Sequence, residues 1–222
     1  NVVSVFLDVK GQNISFQAGQ FFRFTLPAVQ NDPRGPWRFF SNCASPTERD
    51  FIMFTTTISQ SPFKQKLKIL QNGEAVSVSG PFGKFVLGDS NKPYIFLSGG
   101  IGITPFRSIL KYATDEKLPH KITLLYSNSV PEDIVFKEDF DEIARTNPNV
   151  RIIYTITESE ESAIPWQGRM GRIDGQLIKE CTTDIASTLL YICGPPAMVE
   201  GLIGVVKALG VADENIKTER FT

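Results

Sequence analysis

Hydrophobic residues follow different patterns in the two halves of the chain. Up to Lys92, short runs of β-branched and aromatic residues alternate with polar residues, as expected of strands that bury one face. Turn-forming segments such as KGQN and QNGE separate these runs. The pattern therefore predicts a small antiparallel barrel or sandwich of short strands. The predicted strands are VVSVFLDV, ISFQ, FFRFTL, FIMFTTT, AVSVSG and KFVL.

One helix is predicted among these strands, in the segment SPFKQKLKIL. Ser61 is suited to cap its N-terminus, and Pro62 is suited to the first turn, where a missing N–H costs nothing. Phe63, Leu67 and Leu70 recur at helical spacing, so they share one face. The spacing predicts an amphipathic helix that begins after Ser61.

Beyond the junction GDSNKP the pattern changes. Apolar runs become almost continuous, as expected of parallel strands that are covered on both faces. The predicted strands are YIFLSGG, KITLLYSN, VRIIYTIT, TLLYICG and a final IKTERFT. The predicted helices between them are PFRSILKYATDEK, FKEDFDEIART, GRIDGQLIKEC and PAMVEGLIGVVKALG. This alternation predicts a second domain, a doubly wound α/β sheet, with the boundary near Asn91.

The composition is that of an ordinary globular protein. The 222 residues are 41% hydrophobic with a formal net charge of -1, which argues against a disordered chain or a nucleic-acid partner. No apolar run approaches the roughly 20 residues of a membrane helix, and no signal peptide is visible, so we expect no membrane span. Cys43, Cys181 and Cys193 are widely spaced, which argues against a disulfide framework or a metal centre and favours a cytoplasmic location.

Charge differs between the two halves. The chain has 10 basic and 6 acidic residues up to Lys92, and the remaining 13 of its 23 basic and 18 of its 24 acidic residues follow. A net basic first half can steer an acidic partner towards it.

The segment LSGGIGITPFRSIL joins a predicted buried strand to a helix. Gly99, Gly100 and Gly102 carry no side chains, so a ligand can approach the backbone N–H groups, and the helix N-terminus attracts phosphate. Pro105 stands where a Rossmann fingerprint has its third glycine, and it suits the start of a helix. Thr104 is placed to cap that helix or to bind the same phosphate. Taken alone, the segment is equally compatible with a tight turn that binds nothing.

A second segment, PWRFFSNCASP, places a cation, a ring and a hydroxyl close together. The fork of Arg38 matches phosphate oxygens, the ring of Phe40 can pack on a flat ring system, and Ser41 can hydrogen-bond a ring nitrogen. The competing interpretation is a surface arginine beside two core phenylalanines, Phe39 and Phe40.

A third segment, YICGPPAMVEGL, predicts a strand, a tight turn and a helix. The turn lies at the carboxyl end of a later strand, where open α/β sheets bind ligands. Cys193 taken alone is typical of a small buried residue rather than a reactive thiol.

In combination these motifs are more specific than any one of them. The order and spacing of RFFS, GPFGKF, GGIGITP, CGPPAMV and the terminal Glu219 and Phe221 resemble those of the ferredoxin–NADP reductase-like flavoprotein family. The resemblance covers nearly the whole chain, and it is closest to minimal members without a fused iron–sulfur or haem domain. It implies an FAD-binding Greek-key β-barrel over residues 1–91 and an NAD(P)-binding α/β domain over residues 92–222.

The resemblance also implies which residues hold the cofactors. Arg38 would contact the flavin phosphate, Phe40 the isoalloxazine, and Ser61 the pyrophosphate. The residues implied in FAD binding are Arg38, Phe39, Phe40, Ser41, Phe54, Thr55, Thr56 and Ser61. Those implied in binding the nicotinamide dinucleotide are Gly99, Gly100, Gly102, Thr104, Pro105, Cys193, Gly194 and Pro195.

The activity that the resemblance implies is that of an FAD-dependent NAD(P)H reductase, with hydride passing to flavin N5 and electrons going on to a ferredoxin-like protein or a small molecule. Ser41 would hold N5, Glu219 and Cys193 would frame the nicotinamide, and Phe221 would stack on the flavin. Ser129 stands where many members carry a basic residue for the NADP 2′-phosphate, which favours NADH. Two alternatives stay open: an electron-transfer subunit that is active only within a complex, and a protein that has lost its ligands.

Overall fold

The structure, a computed structural model, describes residues 2–27, 29–88 and 91–221. Its first domain has five strands and one helix: β1 (Val2–Asp8), β2 (Phe21–Thr25), β3 (Trp37–Ser41), β4 (Phe51–Thr57), α1 (Pro62–Lys68) and β5 (Ser77–Phe82). β1 pairs with β4, and β2 pairs with both β3 and β5, all antiparallel. The two sheets enclose one core, which contains Phe24 and Phe54 and which α1 completes with Phe63 and Leu67.

The second domain is a six-stranded sheet with helices on both faces. Five of its strands were predicted from the sequence. Its elements are β6 (Tyr94–Gly99), α2 (Thr104–Asp115), β7 (Ile122–Asn128), α3 (Lys137–Thr146), β8 (Val150–Ile156), β9 (Arg169–Met170), α4 (Gly175–Lys179), β10 (Leu189–Gly194), α5 (Pro196–Ala208) and β11 (Ile216–Arg220). All neighbouring strands are parallel, in the order β11-β10-β6-β7-β8-β9. The chain therefore starts in the middle of the sheet and winds outwards in both directions, which creates a switch point beside β6.

The two faces of the parallel sheet bury separate cores. One face packs against α2 and α3, where the rings of Phe96 and Phe106 stack with centroids 4.6 Å apart. The other face packs against α4 and α5, where Leu97 and Val199 belong to the same buried cluster. β6 is buried along its whole length, which explains its unbroken apolar sequence. Within the described ranges, none of the helices combines the length and apolar character that a bilayer span requires.

The fold class predicted from the sequence is confirmed, and so is the start of α1. Antiparallel sheets in the first domain precede a doubly wound parallel sheet in the second. The hydroxyl of Ser61 accepts a hydrogen bond from the amide of Lys64 at 3.3 Å, and Pro62 is the first residue of the helix. Serine and proline therefore occupy the N-cap and N1 positions that their sequence preferences predicted.

The strands of the first domain were predicted with three errors, one strand missed and two wrongly predicted. The segment Trp37–Ser41, which was not predicted as a strand, forms β3, whereas the predicted strands at residues 14–17 and 84–87 do not form. In each of these last two segments a backbone group bonds a side chain instead of a neighbouring strand. The amide of Gln17 bonds the side chain of Gln20 at 2.7 Å, and the carbonyl of Val86 accepts from the hydroxyl of Tyr191 at 2.7 Å.

The second domain departs from prediction in smaller ways. The helix predicted from GRIDGQLIKEC begins only at Gly175, because Asp174 caps it by accepting from the amide of Leu177 at 2.8 Å. The two-residue strand β9 was too short to predict. Asp89 and Ser90 of the predicted junction lie outside the described residues.

A buried arginine on α2 joins the two domains. Arg107 donates to the carbonyl of Cys43 at 2.8 Å and to the carboxylate of Glu48 at 2.9 Å, both in the loop between β3 and β4. Its Nε donates to Asp139 of α3 at 2.6 Å. The neighbouring Ser108 hydroxyl donates to the carbonyl of Ala44 at 2.6 Å. We call these contacts the Arg107 clamp, because they attach the β3–β4 loop of the first domain to two helices of the second.

Replacing Arg107 with alanine removes the cation that pairs with the Glu48 carboxylate, which still accepts from the amide of Ser45 at 2.7 Å, and removes the donor to the Cys43 carbonyl. We expect Arg107→Ala to lower the free energy of unfolding by about 3 kcal/mol, since removing one member of a buried ion pair strands the other. Urea unfolding of this variant is compared with that of Arg145→Ala, which removes an ion pair from an arginine side chain that is 71% exposed. Equal losses in the two variants would contradict a stabilising role for the clamp.

Candidate active site

A cavity of about 620 Å³ opens at the carboxyl ends of β6, β7, β8 and β10. The predicted site residues Gly99, Gly100 and Pro195 line it. Val2 of β1 and Thr57 of β4 also line it, so both domains contribute to its wall. Doubly wound sheets bind ligands at this edge, beside the switch point. The cavity is therefore the candidate active site.

The segment between β6 and α2 is a single helical turn. Residues Gly100–Ile103 form one turn of 3-10 helix, and α2 begins at Thr104 with Pro105 in its first turn. The hydroxyl of Thr104 donates to the carbonyl of Ile101 at 3.1 Å, so it does not cap the helix as predicted. Thr104 and Pro105 are buried behind the cavity wall rather than exposed to it.

The three glycines of this turn have different roles. A Cβ on Gly102 would lie 2.4 Å from the carbonyl oxygen of Cys193, so its absence lets the turn pack on the Cys193–Gly194 backbone. A Cβ on Gly99 would lie 2.2 Å from the sulfur of Met198. Gly100 has a φ of +51° and open space around its Cα. Gly100 is therefore the position where a ligand can approach the backbone, while Gly102, Cys193 and Gly194 form the layer behind.

The second domain places Cys193 and Glu219 side by side on neighbouring parallel strands, β10 and β11. Burial raises the pKa of Glu219 to about 7. Burial also raises the pKa of the Cys193 thiol well above its usual range, and the charge of Glu219 adds to this effect. The pair therefore combines a thiol that stays protonated with a carboxyl group that can gain or lose a proton near neutral pH.

Gly83 connects the predicted catalytic residues of the two domains. Phe21 pairs with Ser41 between β2 and β3, and its ring lies 2.8 Å from the place of a Cβ on Gly83. The carboxyl oxygen Oε1 of Glu219 lies 3.9 Å from the same place. The amide of Phe221 donates to the carbonyl of Gly194 at 3.0 Å, which directs the end of the chain back to β10. The structure thus brings β2, the strand that pairs with that of Ser41, close to Glu219.

Arg38 is buried in an ion pair that the sequence did not predict. Its guanidinium contacts both carboxylate oxygens of Asp32 at 2.7 Å and donates to the carbonyl of Trp37 at 2.6 Å. Asp32 also accepts from the amide of Phe63, the second residue of α1, at 3.0 Å. The hydrogen bond from Arg38 is the main cause that lowers the pKa of Asp32 to about 2. Arg38 is therefore not the surface residue of the competing interpretation.

Phe40 lies on the same side of β3 as Arg38. Its ring stacks on Phe54 with centroids 4.5 Å apart, and the ammonium group of Lys64 lies 4.9 Å from its centroid. Lys64 also bonds the hydroxyl of Thr56. Burial and nearby arginine charges lower the pKa of Lys64 to about 8. Sequence reasoning missed Lys64, although its position three residues after Ser61 places it at the start of α1.

Two other residues implied in FAD binding, Phe39 and Thr55, lie away from the Arg38–Phe40 side of β3. Phe39 points to the opposite face of β3, where it is 51% exposed and contacts Trp37 and Phe82. The hydroxyl of Thr55 bonds that of Ser4 on β1 at 2.8 Å.

Most polar residues of the cavity wall were missed by sequence reasoning. Ser129, the position compared with NADP-binding members, does line the cavity. For Ser127, Asn128, Thr157 and Glu158 the available signal was their position at the carboxyl ends of predicted parallel strands, where ligand-binding side chains collect. The missed polar residues are Thr57, Ser127, Asn128, Asp133, Thr157, Glu158 and Arg172.

Comparison with known proteins identifies similar sequences. Residues 96–203 match the family described as the oxidoreductase NAD-binding domain. The chain is 28% identical over 251 residues to a subunit of the Na(+)-translocating NADH-quinone reductase of Serratia proteamaculans, an alignment that covers 95% of this chain and 61% of that protein. It is 31% identical over 204 residues to the corresponding protein of Actinobacillus pleuropneumoniae, an alignment that covers 83% of this chain and 48% of that protein. The chain therefore spans about half to three fifths of these relatives.

Solved structures share the fold over nearly the full chain. A ferredoxin NADP+ reductase from Neisseria gonorrhoeae with bound FAD and NADP superimposes with a TM-score of 0.80 at 22% identity, over 99% of this chain and 92% of that one. The cytochrome b5 reductase domain of Ulva prolifera nitrate reductase gives 0.82 at 20% identity, over 98% and 91%. At these identities the likeness establishes the fold.

The raised pKa of Glu219 predicts a specific pH dependence of stability. Burial disfavours the ionised carboxylate, so the folded state loses stability as pH rises from the usual pKa of 4.5 through about 7, and the loss is then complete. We expect Glu219→Gln to remove this loss, which amounts to at most about 3 kcal/mol for a shift of this size. Urea unfolding between pH 5 and pH 8 measures it, with Glu200→Gln, an exposed residue of α5, as the matched control. Parallel pH profiles for wild type and Glu219→Gln would contradict the assignment.

Proposed function

Because residues 96–203 match the oxidoreductase NAD-binding domain family and the whole chain has the fold of the ferredoxin–NADP reductase-like proteins, we propose that this protein is an FAD-dependent NAD(P)H oxidoreductase. It takes hydride from a nicotinamide dinucleotide and passes electrons to a ferredoxin-like protein or a small molecule. The observation that carries the proposal is the cavity at the carboxyl ends of the central strands, whose wall includes both the Gly99–Gly100 turn and β4 of the first domain.

The dinucleotide side of the site is built from backbone and small residues. Gly100 leaves the turn open above the N-terminus of α2, a helix of 12 residues whose dipole favours phosphate. Pro195 and Met198, at the start of α5, line the cavity beside Gly99. Gly102 supports the site indirectly, by keeping the two turns in contact.

The flavin side already holds an anion in this structure. Arg38 and the amide of Phe63 bind the carboxylate of Asp32, and a carboxylate presents the same charge and acceptor atoms as a phosphate oxygen pair. The residues therefore fit the pyrophosphate of FAD, with Asp32 as its internal substitute. Ser61 would also contact the pyrophosphate, and Phe40 and Thr56 would hold the rest of the cofactor. When bound, FAD supplies the exchange between two-electron and one-electron transfer.

The proposed catalytic residues of the chain have two tasks, to position the flavin and nicotinamide rings and to hold or release a proton. With FAD bound, the hydroxyl of Ser41 would hydrogen-bond a ring nitrogen, and Phe221 would pack on the ring system. Glu219 holds or releases a proton near neutral pH, because burial raises its pKa to about 7. Cys193 remains a neutral thiol and contributes shape rather than charge.

We favour NADH as the electron donor. Asp133 and Glu158 line the same wall as Ser129, and Arg172 is the one basic side chain among the residues that line the described cavity. A 2′-phosphate would face the two carboxylates, whereas a free ribose hydroxyl can hydrogen-bond to them. We also propose a cytoplasmic location, which the three free cysteines support.

A second candidate is an electron-transfer subunit that works within a complex. The curated relatives are named as subunits, and one exposed face of the first domain is suited to a protein contact. On that face the ring of Phe39 contacts those of Trp37 and Phe82, and the three residues are 51%, 40% and 42% exposed, respectively. The net basic first domain favours an acidic redox protein as the partner.

Mixing flavin-loaded protein with NADH or NADPH without oxygen tests the proposal directly. We expect the flavin absorbance to bleach, and faster with NADH because of the two carboxylates. Absence of bleaching with both donors would overturn the reductase. Bleaching followed by poor transfer to oxygen and to artificial acceptors would favour the subunit that needs a partner.

The substitute role of Asp32 predicts opposite effects for the two members of its ion pair. Asp32→Asn removes the competing charge from Arg38, so we expect FAD to bind more tightly, whereas Arg38→Ala should weaken FAD binding about tenfold or more. Fluorescence titration of the apoprotein with FAD measures both. If Asp32→Asn weakens binding as much as Arg38→Ala, then Asp32 orients Arg38 for the cofactor and does not compete with it.

A further inference from the structure

Phe136, the residue at the N-cap of α3, has a strained backbone. Its φ of 60° and ψ of 28° lie in the left-handed region, which a bulky side chain rarely adopts. The other non-glycine residues with a positive φ in the described part of the chain, Asn31 and Lys117, are exposed and lie in loops. Such strain persists only where the surrounding contacts compensate for it, so the contacts of Phe136 are informative.

The ring of Phe136 lies between the two domains. On the first-domain side it packs against a buried cluster that includes Cys43 of the β3–β4 loop and Met53 of β4. On the second-domain side its centroid lies 6.4 Å from that of Phe140 in α3. The guanidinium carbon of Arg107 lies 5.3 Å from the Phe136 centroid, within the range of a cation–π contact. The ring therefore adds an apolar contact to the polar bonds of the Arg107 clamp.

The backbone directly before Phe136 belongs to the cavity wall. Val135 lines the cavity, and its amide donates to the hydroxyl of Tyr126 at 3.2 Å. The same hydroxyl donates to the carbonyl of Gly100, the open position of the glycine turn, at 3.1 Å. Phe136 is not among the described residues that line the cavity. Two consecutive residues therefore join the wall of the candidate site to the interface between the domains.

The side chain, rather than the backbone conformation, explains why phenylalanine stands at this position. Glycine or asparagine would adopt a left-handed backbone with less strain. What the ring adds is its contact with Cys43 and with the Arg107 guanidinium. Cys43 follows Ser41 by two residues, and Arg107 follows the start of α2 by three. The ring therefore helps to fix Ser41 relative to the helix that begins at the glycine turn.

We propose that Phe136 is a positioning residue for hydride transfer, which keeps the flavin side of the site at the correct distance from the dinucleotide side without contacting either cofactor. This inference rests on the proposed function, because it requires both cofactors in the site. Transfer between two bound rings depends steeply on their geometry, and a displacement of ~1 Å can slow a reaction about a hundredfold. Phe136 should therefore affect the rate of hydride transfer far more than the affinity for either cofactor.

Stopped-flow reduction of the flavin-loaded protein by NADH without oxygen measures the rate and the donor affinity separately. In this step hydride leaves the dihydronicotinamide, which becomes NAD+, and the flavin takes up both electrons. We expect Phe136→Gly, which removes the ring but suits a left-handed backbone, to lower the maximal rate about tenfold or more. The NADH concentration for half of that rate and the affinity of the apoprotein for FAD should each change by less than about twofold.

Two further variants separate the ring from the backbone. Phe136→Tyr keeps the ring and should reduce the flavin at close to the wild-type rate. Lys117→Gly, the matched control, relaxes a left-handed residue in an exposed loop and should leave the rate unchanged. If Phe136→Gly does not fold, Phe136→Leu removes the aromatic face from Arg107 and gives the same comparison.

Cys43 reports on the interface without any cofactor. Its side chain is fully buried, and burial raises its pKa to about 12, so in wild type it should react slowly with a thiol reagent. Removal of the Phe136 ring should accelerate the labelling of Cys43 about tenfold or more, because the interface then opens more readily. Mass spectrometry of the labelled peptides distinguishes Cys43 from Cys181 and Cys193, and Lys117→Gly should label like wild type.

Three outcomes would overturn the inference alone. They are an unchanged maximal rate in Phe136→Gly, a fall in rate that comes entirely from weaker binding of NADH or FAD, and equal labelling of Cys43 in wild type and Phe136→Gly. An equal fall in rate in Lys117→Gly would contradict it as well. If neither NADH nor NADPH reduces the flavin of the wild-type protein, the proposed function fails, and this inference fails with it.

Discussion

The Arg107 clamp is the contact on which the geometry of the candidate site depends. Cys43, whose carbonyl it binds, follows Ser41 by two residues, and Arg107 itself follows the first residue of α2 by three. The clamp therefore joins the end of β3 to the helix that begins at the glycine turn. With such short links on either side, the hydroxyl of Ser41 and the turn at Gly100 cannot move far apart. A site shared by two domains needs such a connection, because otherwise their relative motion is the default.

The clamp and the Asp32–Arg38 pair show how this chain buries charge. In each, the guanidinium of a buried arginine donates to a carboxylate and to backbone carbonyl oxygens, which is the arrangement that a low-dielectric interior requires. Pairing of the guanidinium with carboxylate and carbonyl oxygens is therefore how the interior accommodates both arginines.

The glycine turn illustrates how far sequence reasoning reached. The glycines of GGIGITP were predicted to expose backbone to a ligand, and Gly100 has the open space for it. Gly102 instead faces the Cys193 backbone, because the second glycine motif, CGPP, folds against the first. The motif shows which positions lack a side chain. It does not show that the backbone of Cys193, about ninety residues further along the sequence, packs against Gly102 and requires that space.

Local and periodic properties were available from the sequence by itself. Alternating and continuous apolar runs separated an antiparallel from a parallel domain, and the Ser61 cap, the β6 strand and the order of motifs followed from interactions within a few residues. Only the tertiary structure decided the partners of Arg38 and Arg107 and the raised pKa of Glu219. These properties depend on burial and on contacts between distant segments, since the surroundings of a charged group, rather than its identity, determine whether it is paired and whether its pKa is shifted.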